Sequence, residues 1–184
     1  MGEVVQPGTY ALSAFSTVFH ALYRAGGVND IGSLRKVQLV RNGKKMATID
    51  VYDFIMHGRT QDDIRLEEGD VVIVPTYESL VQISGNVKRP MRYEMKNGET
   101  VETLIGYAGG FTSDAYTKSL RMVRQNGKEY QVNTIDDKDY GSYRLSDGDM
   151  VTAEAILDRF TNKLEIRGAV YRPGIYELND NVNT

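Results

Sequence analysis

The nine residues Gly85–Tyr93 read GNVKRPMRY, and this phrase decides the fold because it returns twice elsewhere in the chain. Gly2–Tyr10 reads GEVVQPGTY and Gly168–Tyr176 reads GAVYRPGIY, so the three copies share the pattern G-x-V-x-x-P-x-x-Y. Successive prolines of the phrase are 83 residues apart in both intervals. Solenoid repeats have shorter periods of roughly 20–50 residues. The spacing therefore predicts tandem small domains, each with its own core.

The composition is that of a globular protein. Hydrophobic residues make up 41% of the 184 residues and charged residues 26%, with a net charge of −3. A nucleic-acid-binding domain usually carries a clustered basic face, and no such cluster occurs in the sequence. The basic residues within Arg35–Lys36 and Arg41–Lys45 alternate with apolar positions, which predicts a solvated hairpin face.

The chain contains no cysteine, which excludes disulfides, thiolate metal ligands and cysteine nucleophiles. No apolar run approaches the roughly 20 residues that a membrane helix requires. We interpret Met1, which directly precedes the first phrase, as an expression start on an internal fragment. On that interpretation, a targeting segment would lie outside this sequence.

A short helix is predicted after each of the first two phrases. Three apolar positions per repeat fall on one helical face: Val18, Leu22 and Ala25, then Val101, Ile105 and Ala108. Ser16 and Thr17 can cap the first helix. The pairs Gly26–Gly27 and Gly109–Gly110 suit the left-handed position that ends a helix.

Two β-hairpins and two closing strands are predicted next. Asn42–Gly43 and Asn126–Gly127 each lie between alternating segments and predict tight hairpin turns, because both residue types tolerate positive φ. The first repeat has an extra stretch, Tyr52–Gly58, for which we expect one or two helical turns. Each complete repeat then closes with a turn rich in Gly and Asp, followed by a buried strand. These closing segments are Leu66–Pro75 and Leu145–Ala153.

The predicted order in each complete repeat is two opening strands, a helix, two hairpin strands, a turn and a closing strand. This order predicts an α+β fold in which each domain is a mixed sheet with one packed helix. We expect a first domain at residues 1–78 and a second at 79–160. Their short linkers are not rich in Gly or Pro, so we expect closely coupled domains.

A truncated start of a third domain is expected at residues 161–184. It would have its phrase but no helix, hairpin or closing strand. We expect Leu164–Tyr176 to dock on the second repeat, to pair with a neighbouring chain or to be loosely ordered.

No residue pattern predicts a catalytic, metal or cofactor site. His20 and His57 are interpreted as helix-surface or helix-end residues, since neither has an H-E-x-x-H spacing. The acidic turns Glu67–Asp70 and Ser146–Asp149 lack the twelve-residue ligand pattern of an EF-hand. The Gly pairs end helices, whereas phosphate cradles begin them. We therefore expect a non-enzymatic protein, and its ligand-binding residues are unknown at this point.

Tyrosine is abundant, with 12 residues, while tryptophan is absent. The tyrosines that recur in the phrase are interpreted as structural; they are Tyr10, Tyr93 and Tyr176. Others are candidate exposed contacts for a sugar, since tyrosine combines an apolar face with a polar tip. These candidates are Tyr107, Tyr116, Tyr140 and Tyr171.

The repeated units resemble the soluble-ligand-binding β-grasp domain, known as SLBB. The resemblance rests on the order and repetition of short motifs across nearly the whole chain. In the second copy these are Gly85–Tyr93, Tyr107–Phe111 (YAGGF) and Leu145–Val151 (L-x-x-G-D-x-V); in the first they are Pro7–Tyr10, Ala25–Val28 and Leu66–Pro75.

Tandem SLBB domains look most like the periplasmic part of capsular or exopolysaccharide export proteins of the outer membrane. That resemblance implies a periplasmic location within an outer-membrane-anchored protein. It also implies domains that stack into rings around a conduit. The implied partners are a polysaccharide in transit, other copies of the same protein and an inner-membrane polysaccharide synthesis or export protein. The family's export domain, lipidation cysteine and membrane-spanning segment are not present in this sequence.

Three functions remain open from the sequence. The leading one is a non-enzymatic structural module of a polysaccharide export conduit. The runner-up is a monomeric periplasmic module that binds a small ligand or a glycan, which predicts saturable binding. The third is a DNA-uptake receptor, which uses a similar domain type. It predicts a basic face and a helix-hairpin-helix partner, and the sequence shows neither.

Overall fold

The computed structural model describes residues 1–61 and 63–178. The helices are α1 (Val18–Arg24), α2 (Val51–His57) and α3 (Val101–Tyr107). The strands are β1 (Val37–Arg41), β2 (Lys44–Ile49), β3 (Val71–Ile73), β4 (Leu80–Gly85), β5 (Met91–Glu94), β6 (Ser119–Gln125), β7 (Tyr130–Asp136), β8 (Met150–Ala153), β9 (Lys163–Ile166) and β10 (Gly174–Glu177). Within the described residues no helix is both long and apolar enough to cross a membrane.

The second domain has the complete element order that the sequence predicts, from β4 and β5 through α3 to β6, β7 and β8. Its five-stranded sheet has the order β5-β4-β8-β6-β7, in which β4 and β8 are parallel and the other neighbours antiparallel. Leu104 of α3 is fully buried in the same core as Ile83 of β4 and Met122 of β6. This is the predicted α+β fold, a mixed sheet with one packed helix.

The first domain has only the second half of this sheet. Its strand order is β2-β1-β3, and Val18 of α1 packs in one core with Leu39 and Ile49. The phrase Gly2–Tyr10 makes isolated bridges, such as that between Gly2 and Val74, but contains no strand. The predicted opening strands are therefore wrong for this domain. Met1 and Gly2 lie beside β3, where the Val74 amide donates to the Met1 carbonyl and Gly2 bridges to Val74. Gly85 makes the equivalent contact with Ala153 at the end of β4.

The glycine of the phrase is required by a close approach of two backbones. Gly85 has φ of +80°, and a Cβ on it would lie 2.0 Å from the carbonyl oxygen of Ala153. Gly2 has φ of +87°, and its Cβ would lie 2.2 Å from the oxygen of Val74. Both positions exclude larger residues for the same two reasons.

The tyrosine of the phrase closes a local loop in all three copies. The hydroxyl of Tyr93 donates to the carbonyl of Arg89 at 2.9 Å, four residues earlier. Tyr10 and Tyr176 donate to the carbonyls of Gln6 and Arg172 in the same way. The hydroxyl bond gives the recurring tyrosines the structural role that was interpreted from the sequence.

The predicted helix ends and hairpins are largely confirmed. Thr17 is the N-cap of α1, and Gly26 and Gly27 follow its end with φ of +78° and +85°. Asn42–Gly43 forms a two-residue turn with positive φ at both residues. The second hairpin has a four-residue connection instead, in which the side chain of Asn126 accepts from the backbone amides of Lys128 and Glu129. The side-chain bonds replace the left-handed conformation that was expected at Asn126.

The third copy of the phrase forms the hairpin β9–β10. In this hairpin Lys163 pairs with Glu177 and Leu164 with Tyr176. The residues 83 positions earlier pair in the same way, since Leu80 lies opposite Glu94 and Val81 opposite Tyr93. Its side chains are largely exposed; Leu164 is 41% exposed, whereas Val81 is fully buried. The last residues of the expected third domain, 179–184, lie outside the described residues.

Each closing turn is held by a buried ion pair, which we call the latch. Asp149 is fully buried and accepts two hydrogen bonds from the Arg124 guanidinium, at 2.8 and 2.7 Å, and one from the Ser146 amide at 2.8 Å. Asp70 has the same arrangement with Arg41 and the Glu67 amide. Bidentate pairs of this kind fix both distance and orientation. The hydrogen bond from Arg41 lowers the pKa of Asp70.

We predict that Asp149→Asn destabilises the protein by about 3 kcal/mol, because it leaves the Arg124 charge without its buried partner. Urea unfolding measured by circular dichroism gives the free energy of unfolding. Asp139→Asn, at an exposed site in the same domain, is the control, and we expect its effect to stay within about 0.5 kcal/mol. Equal effects of the two substitutions would contradict a stabilising latch.

Candidate functional site

Arg35 lies buried between the two domains, and a cluster of charged and aromatic groups surrounds it. Only 6% of this residue is exposed. The sequence placed Arg35–Lys36 and Arg41 on a solvated face; this is wrong for Arg35 and for the Arg41 of the latch. Alternation along the strand did not predict this burial, because the second domain covers Arg35 and the closing turn covers Arg41.

The guanidinium of Arg35 bridges carboxylates from both domains. Its Nε lies 2.9 Å from Oδ1 of Asp50 in the first domain. Its Nη2 lies 3.0 Å from Oε1 of Glu99 in the second domain, and its Nη1 donates to the carbonyl of Glu94 at 3.0 Å. The planar fork of arginine allows these contacts to be made at once. One side chain thus makes polar contacts with both domains, and Lys96 of the second domain also pairs with Asp50.

A second carboxylate crosses the junction in the opposite direction. Glu94, at the end of β5, is buried and accepts from the hydroxyl of Ser33 at 2.6 Å and from the amide of Leu34 at 2.8 Å. The amide of Glu94 in turn donates to the hydroxyl of Tyr52 at 2.8 Å. Every buried side-chain nitrogen and oxygen of the described residues has a hydrogen-bond partner. A fully satisfied polar cluster of this kind favours one arrangement of the domains.

The extra helix α2 of the first repeat supplies aromatic and apolar contacts to the second domain. Tyr52 packs in the second domain's core, where its ring meets that of Tyr107 edge-on at 5.3 Å. The Arg35 guanidinium lies 4.5 Å from the centre of the Tyr52 ring, within cation–π range. Met56 also packs against this core. The prediction of helical turns at Tyr52–Gly58 is confirmed, and the insertion acts as a docking element.

The cluster shifts the pKa values of its members in directions set by its charges. Burial alone would lower the pKa of Arg35, but the hydrogen bond to Glu99 and the charge of Asp50 raise it above its usual range. Burial and the hydrogen bond to Glu99 raise the pKa of Tyr107 to about 12. Burial also raises the pKa of Tyr52. Arginine therefore stays charged and both tyrosines stay protonated at neutral pH.

A groove of about 910 Å³ runs along the outer edge of β3 in the first domain. Its walls come from α1, from the closing turn and from the segment Gly8–Ala14, with Leu22, Leu66 and Val72 among the apolar side chains. The groove lies beside β3, where the second domain holds β4 and β5 beside β8.

The histidines make only local contacts. The Nδ1 of His20 lies 2.7 Å from Oγ1 of Thr17 at the start of α1. The Nδ1 of His57 lies 3.3 Å from Oδ1 of Asp53 within α2. Their predicted positions on and at the end of a helix are confirmed. Within residues 1–61 and 63–178, no group of three or more His, Cys, Asp or Glu side chains is arranged to hold a metal ion.

Of the four tyrosines that were expected to be exposed contacts, two are exposed and two are buried. Tyr171 is 99% exposed and Tyr116 43% exposed, as expected. Tyr107 and Tyr140 are buried, which makes the expectation wrong for these two. Tyr107 joins the Arg35 cluster and Tyr140 packs near Phe111. Each hydroxyl is bonded within the protein, to Glu99 and to the carbonyl of Thr117.

Sequence reasoning missed the Arg35 cluster and the latch for different reasons. The latch had a signal, since Arg41 and Arg124 are separated by the same 83 residues as the phrases. The Arg35 cluster had no such signal. Lys118, which stands 83 residues after Arg35, is exposed and pairs with Asp137. A contact between domains need not repeat when the neighbouring units differ.

Comparison with known proteins agrees with this architecture. Two family models, each described as an SLBB domain, match residues 1–74 and 80–133. Two curated sequences from Escherichia coli, both described as polysialic acid transport protein KpsD, are each 28% identical to the chain over 105 residues. The matched stretch is 56% of this chain and 19% of each relative, so the chain corresponds to about a fifth of those proteins' length.

The fold and the two matched models define a tandem pair of SLBB domains of the β-grasp type. The chain therefore belongs to the SLBB domain family, and the expected domain type is confirmed. Its similarity to the KpsD proteins agrees with the resemblance of its motifs to polysaccharide export proteins.

We predict that Arg35→Met destabilises the protein by about 3 kcal/mol, because it removes the buried guanidinium that pairs with Asp50 and Glu99. We also expect the domains to unfold in separate steps, since the ion pair of Arg35 with Glu99 across the junction is lost. Urea unfolding followed by tyrosine fluorescence and by circular dichroism detects both effects. Lys36→Met, whose ammonium makes only an exposed pair with Glu78, should change stability by less than about 1 kcal/mol. A single unchanged transition for Arg35→Met would contradict this role.

The raised pKa of Tyr107 predicts a loss of stability at high pH. Above pH 10 the tyrosine of the unfolded chain releases its proton, whereas in the folded protein it holds the proton up to a pKa of about 12. Unfolding is therefore increasingly favoured between these two pH values. Tyr107→Phe removes this contribution, so its free energy of unfolding should fall less steeply over that range than that of the unchanged protein. Parallel pH profiles would show that Tyr107 does not titrate in this way.

Proposed function

We propose that this chain is the periplasmic SLBB portion of an outer-membrane capsular or exopolysaccharide export protein. In this proposal it is a non-enzymatic structural module of the export conduit, with domains at 1–78 and 79–160 and the start of a third at 161–184. The observation that carries the proposal is the Arg35 cluster, which holds two SLBB domains in one fixed arrangement. A conduit wall requires fixed neighbours, whereas a flexible tether would leave gaps.

The similarity to the KpsD proteins and the requirements of glycan passage also support the proposal. The KpsD proteins, to which the chain is similar, are described as transporting polysialic acid. A long glycan moves most freely along a polar wall without tight binding sites. The proposed partners are therefore a polysaccharide in transit, further copies of this protein and an inner-membrane synthesis or export protein. Nucleic acid is not among them.

A second candidate is a monomeric periplasmic module that captures a small ligand or a glycan. The groove beside β3 favours it, since binding sites are concave and mostly apolar. This function predicts saturable binding to a single site lined by Leu22 and Val72. Isothermal titration with oligosaccharides of the native capsule would detect it.

The test of the proposed function uses the full-length protein in its native bacterium. We predict that deletion of Gly2–Ala155 abolishes surface polysaccharide, while the shortened protein remains present in its membrane. Arg35→Met should lower the amount of surface polysaccharide and Lys36→Met should leave it unchanged. Normal surface polysaccharide after the deletion would refute the export function. Saturable oligosaccharide binding together with that result would establish the second candidate.

A further inference from the structure

The strand β7 forms an open edge of the five-stranded sheet in the second domain. It pairs with β6 without interruption over all of Tyr130–Asp136 and has no neighbour on its other side among the described residues. Its counterpart in the first domain, β2, is also an edge strand, although a complete domain follows it. The open edge is therefore a property of the domain and not of its place in the chain.

Alternate residues of β7 direct their backbone groups to this open edge. At the two ends of the pairing, the carbonyl of Glu129 accepts from the amide of Asn126, and the amide of Asp137 donates to Lys118. Because the bonded residues of an antiparallel strand alternate, the odd-numbered residues bond to β6 and the even-numbered residues point away from it. In the described part of the chain, the amides and carbonyls left without a strand partner are those of Tyr130, Val132, Thr134 and Asp136.

The counterpart edge in the first domain carries features that prevent pairing between sheets. The register of β2 with β1 shifts between Leu39 and Val40, which marks a bulge. The strand also begins with Lys44 and Lys45. A bulge and edge lysines both discourage the addition of another strand.

The opposite edge of the second domain's sheet is covered by the joint between the domains. In β5 the amide of Glu94 donates to the Tyr52 hydroxyl, and its carbonyl accepts from Arg35. Pro90, directly before β5, has no amide hydrogen to offer. In contrast, β7 has no bulge, proline or lysine, and its one charge is that of Asp136 at its end. It is an edge without such protection.

The solvent-facing side of the sheet reaches this edge as an apolar row. Val132 lies opposite Val123, and Val123 lies opposite Met150, so three apolar side chains cross β7, β6 and β8. Val132 is 63% and Met150 38% exposed. A strand added to β7 would extend this row and cover one side of Val132.

We propose that β7 pairs antiparallel with β7 of a second copy, about a two-fold axis at Val132. In this register Val132 lies opposite Val132 of the second copy, and the apolar row continues from one sheet into the other. Tyr130 lies opposite Thr134. The contact goes beyond the proposed function and does not depend on it.

Charge complementarity selects a second copy as the partner. In the proposed register Lys128, just before the strand, comes beside Asp136 of the second copy, and the two-fold axis makes this pair twice. Within one copy Asp136 lies 3.8 Å from Lys138, which is long for an ion pair, so its carboxylate can accept a second cation. An axis at Asn133 would instead place Tyr130 opposite Asp136 and lose both charge pairs.

The symmetry of the contact fixes the size of the assembly. Both copies use the same strand, so the contact is isologous and closes on two copies. The two five-stranded sheets become one sheet of ten strands. Its outer edges are the two β5 strands, which the Arg35 cluster already covers. The expected product is therefore a dimer and not a filament.

The two-fold axis gives a direct test by disulfide cross-linking. The chain has no cysteine, so Val132→Cys introduces a single thiol, which the axis places opposite itself. The Cα atoms of such a hydrogen-bonded pair lie about 5.5 Å apart, which suits a disulfide. Val132→Cys should therefore form a covalent homodimer under mild oxidation.

Tyr130→Cys is the matched control for this cross-link. Tyr130 is 65% exposed on the same strand, but in the proposed register it lies four residues away from its own copy. It should not form a homodimer, whereas a mixture of Tyr130→Cys with Thr134→Cys should give a heterodimer. Equal homodimer formation by Val132→Cys and Tyr130→Cys would overturn the proposal.

The oligomeric state provides a second measurement. Light scattering after size-exclusion chromatography should show a dimer whose fraction rises with concentration. Thr134→Pro removes an amide that faces the open edge and leaves the bonds to β6 in place. It should be monomeric with an unchanged circular dichroism spectrum, whereas Thr134→Ala keeps the amide and should still dimerise. A chain that is monomeric up to millimolar concentration, or a dimer that persists in Thr134→Pro, would overturn the proposal.

Exchanged charges test whether the partner is a second copy of this chain. Lys128→Glu and Asp136→Lys should each weaken the dimer, since each places like charges side by side. An equimolar mixture of the two variants should associate again, because every charge pair across the contact is then of opposite sign. A mixture that stays monomeric would overturn the proposal.

The dimer contact and the proposed export function can fail separately. Dimerisation together with normal surface polysaccharide after deletion of Gly2–Ala155 would refute export and leave the contact standing. Loss of surface polysaccharide after that deletion, with a monomeric chain and no cross-link, would support export and remove the contact.

Discussion

The burial of one positive charge is the constraint on which the relation between the two domains depends. A guanidinium taken out of water is costly unless it is paired and hydrogen-bonded. Arg35 meets this requirement only when Asp50 of its own domain and Glu99 of the next are both within reach. A small rotation of one domain would leave a charge buried without its partner. The cluster therefore contributes more to the arrangement of the domains than to the stability of either one.

The repeated phrase acts at a different level, within each domain. Its glycine permits two backbones to approach, and its tyrosine bonds back to the carbonyl four residues earlier. These are local requirements, and the tyrosine makes the same bond in all three copies of the phrase. The register of β9–β10 matches that of β4–β5 although only the latter has a core beneath it. Local chemistry is sufficient to set this pairing.

This division explains what could be predicted from the sequence. The helices, the closing strands and the hairpin positions follow from periodicity and turn chemistry, and the order of strands and helix in the second domain was predicted correctly. The four-residue turn at Asn126 was not, because its side-chain bonds compete with the expected backbone conformation. The candidate site was largely missed. Arg35 and Tyr107 are ordinary strand and helix residues until a neighbouring domain covers them, and no pattern within one repeat encodes that neighbour.

The helix α2 has a consequence for the order of units along such a chain. It arises from the second half of one domain and inserts Tyr52 into the core of the domain that follows. The second repeat has a 3-10 turn over Asp137–Asp139 in the corresponding connection instead of a helix. The two units are consequently not interchangeable. If their order were reversed, Tyr52 would no longer precede the core into which it packs, and the joint between the units would be lost.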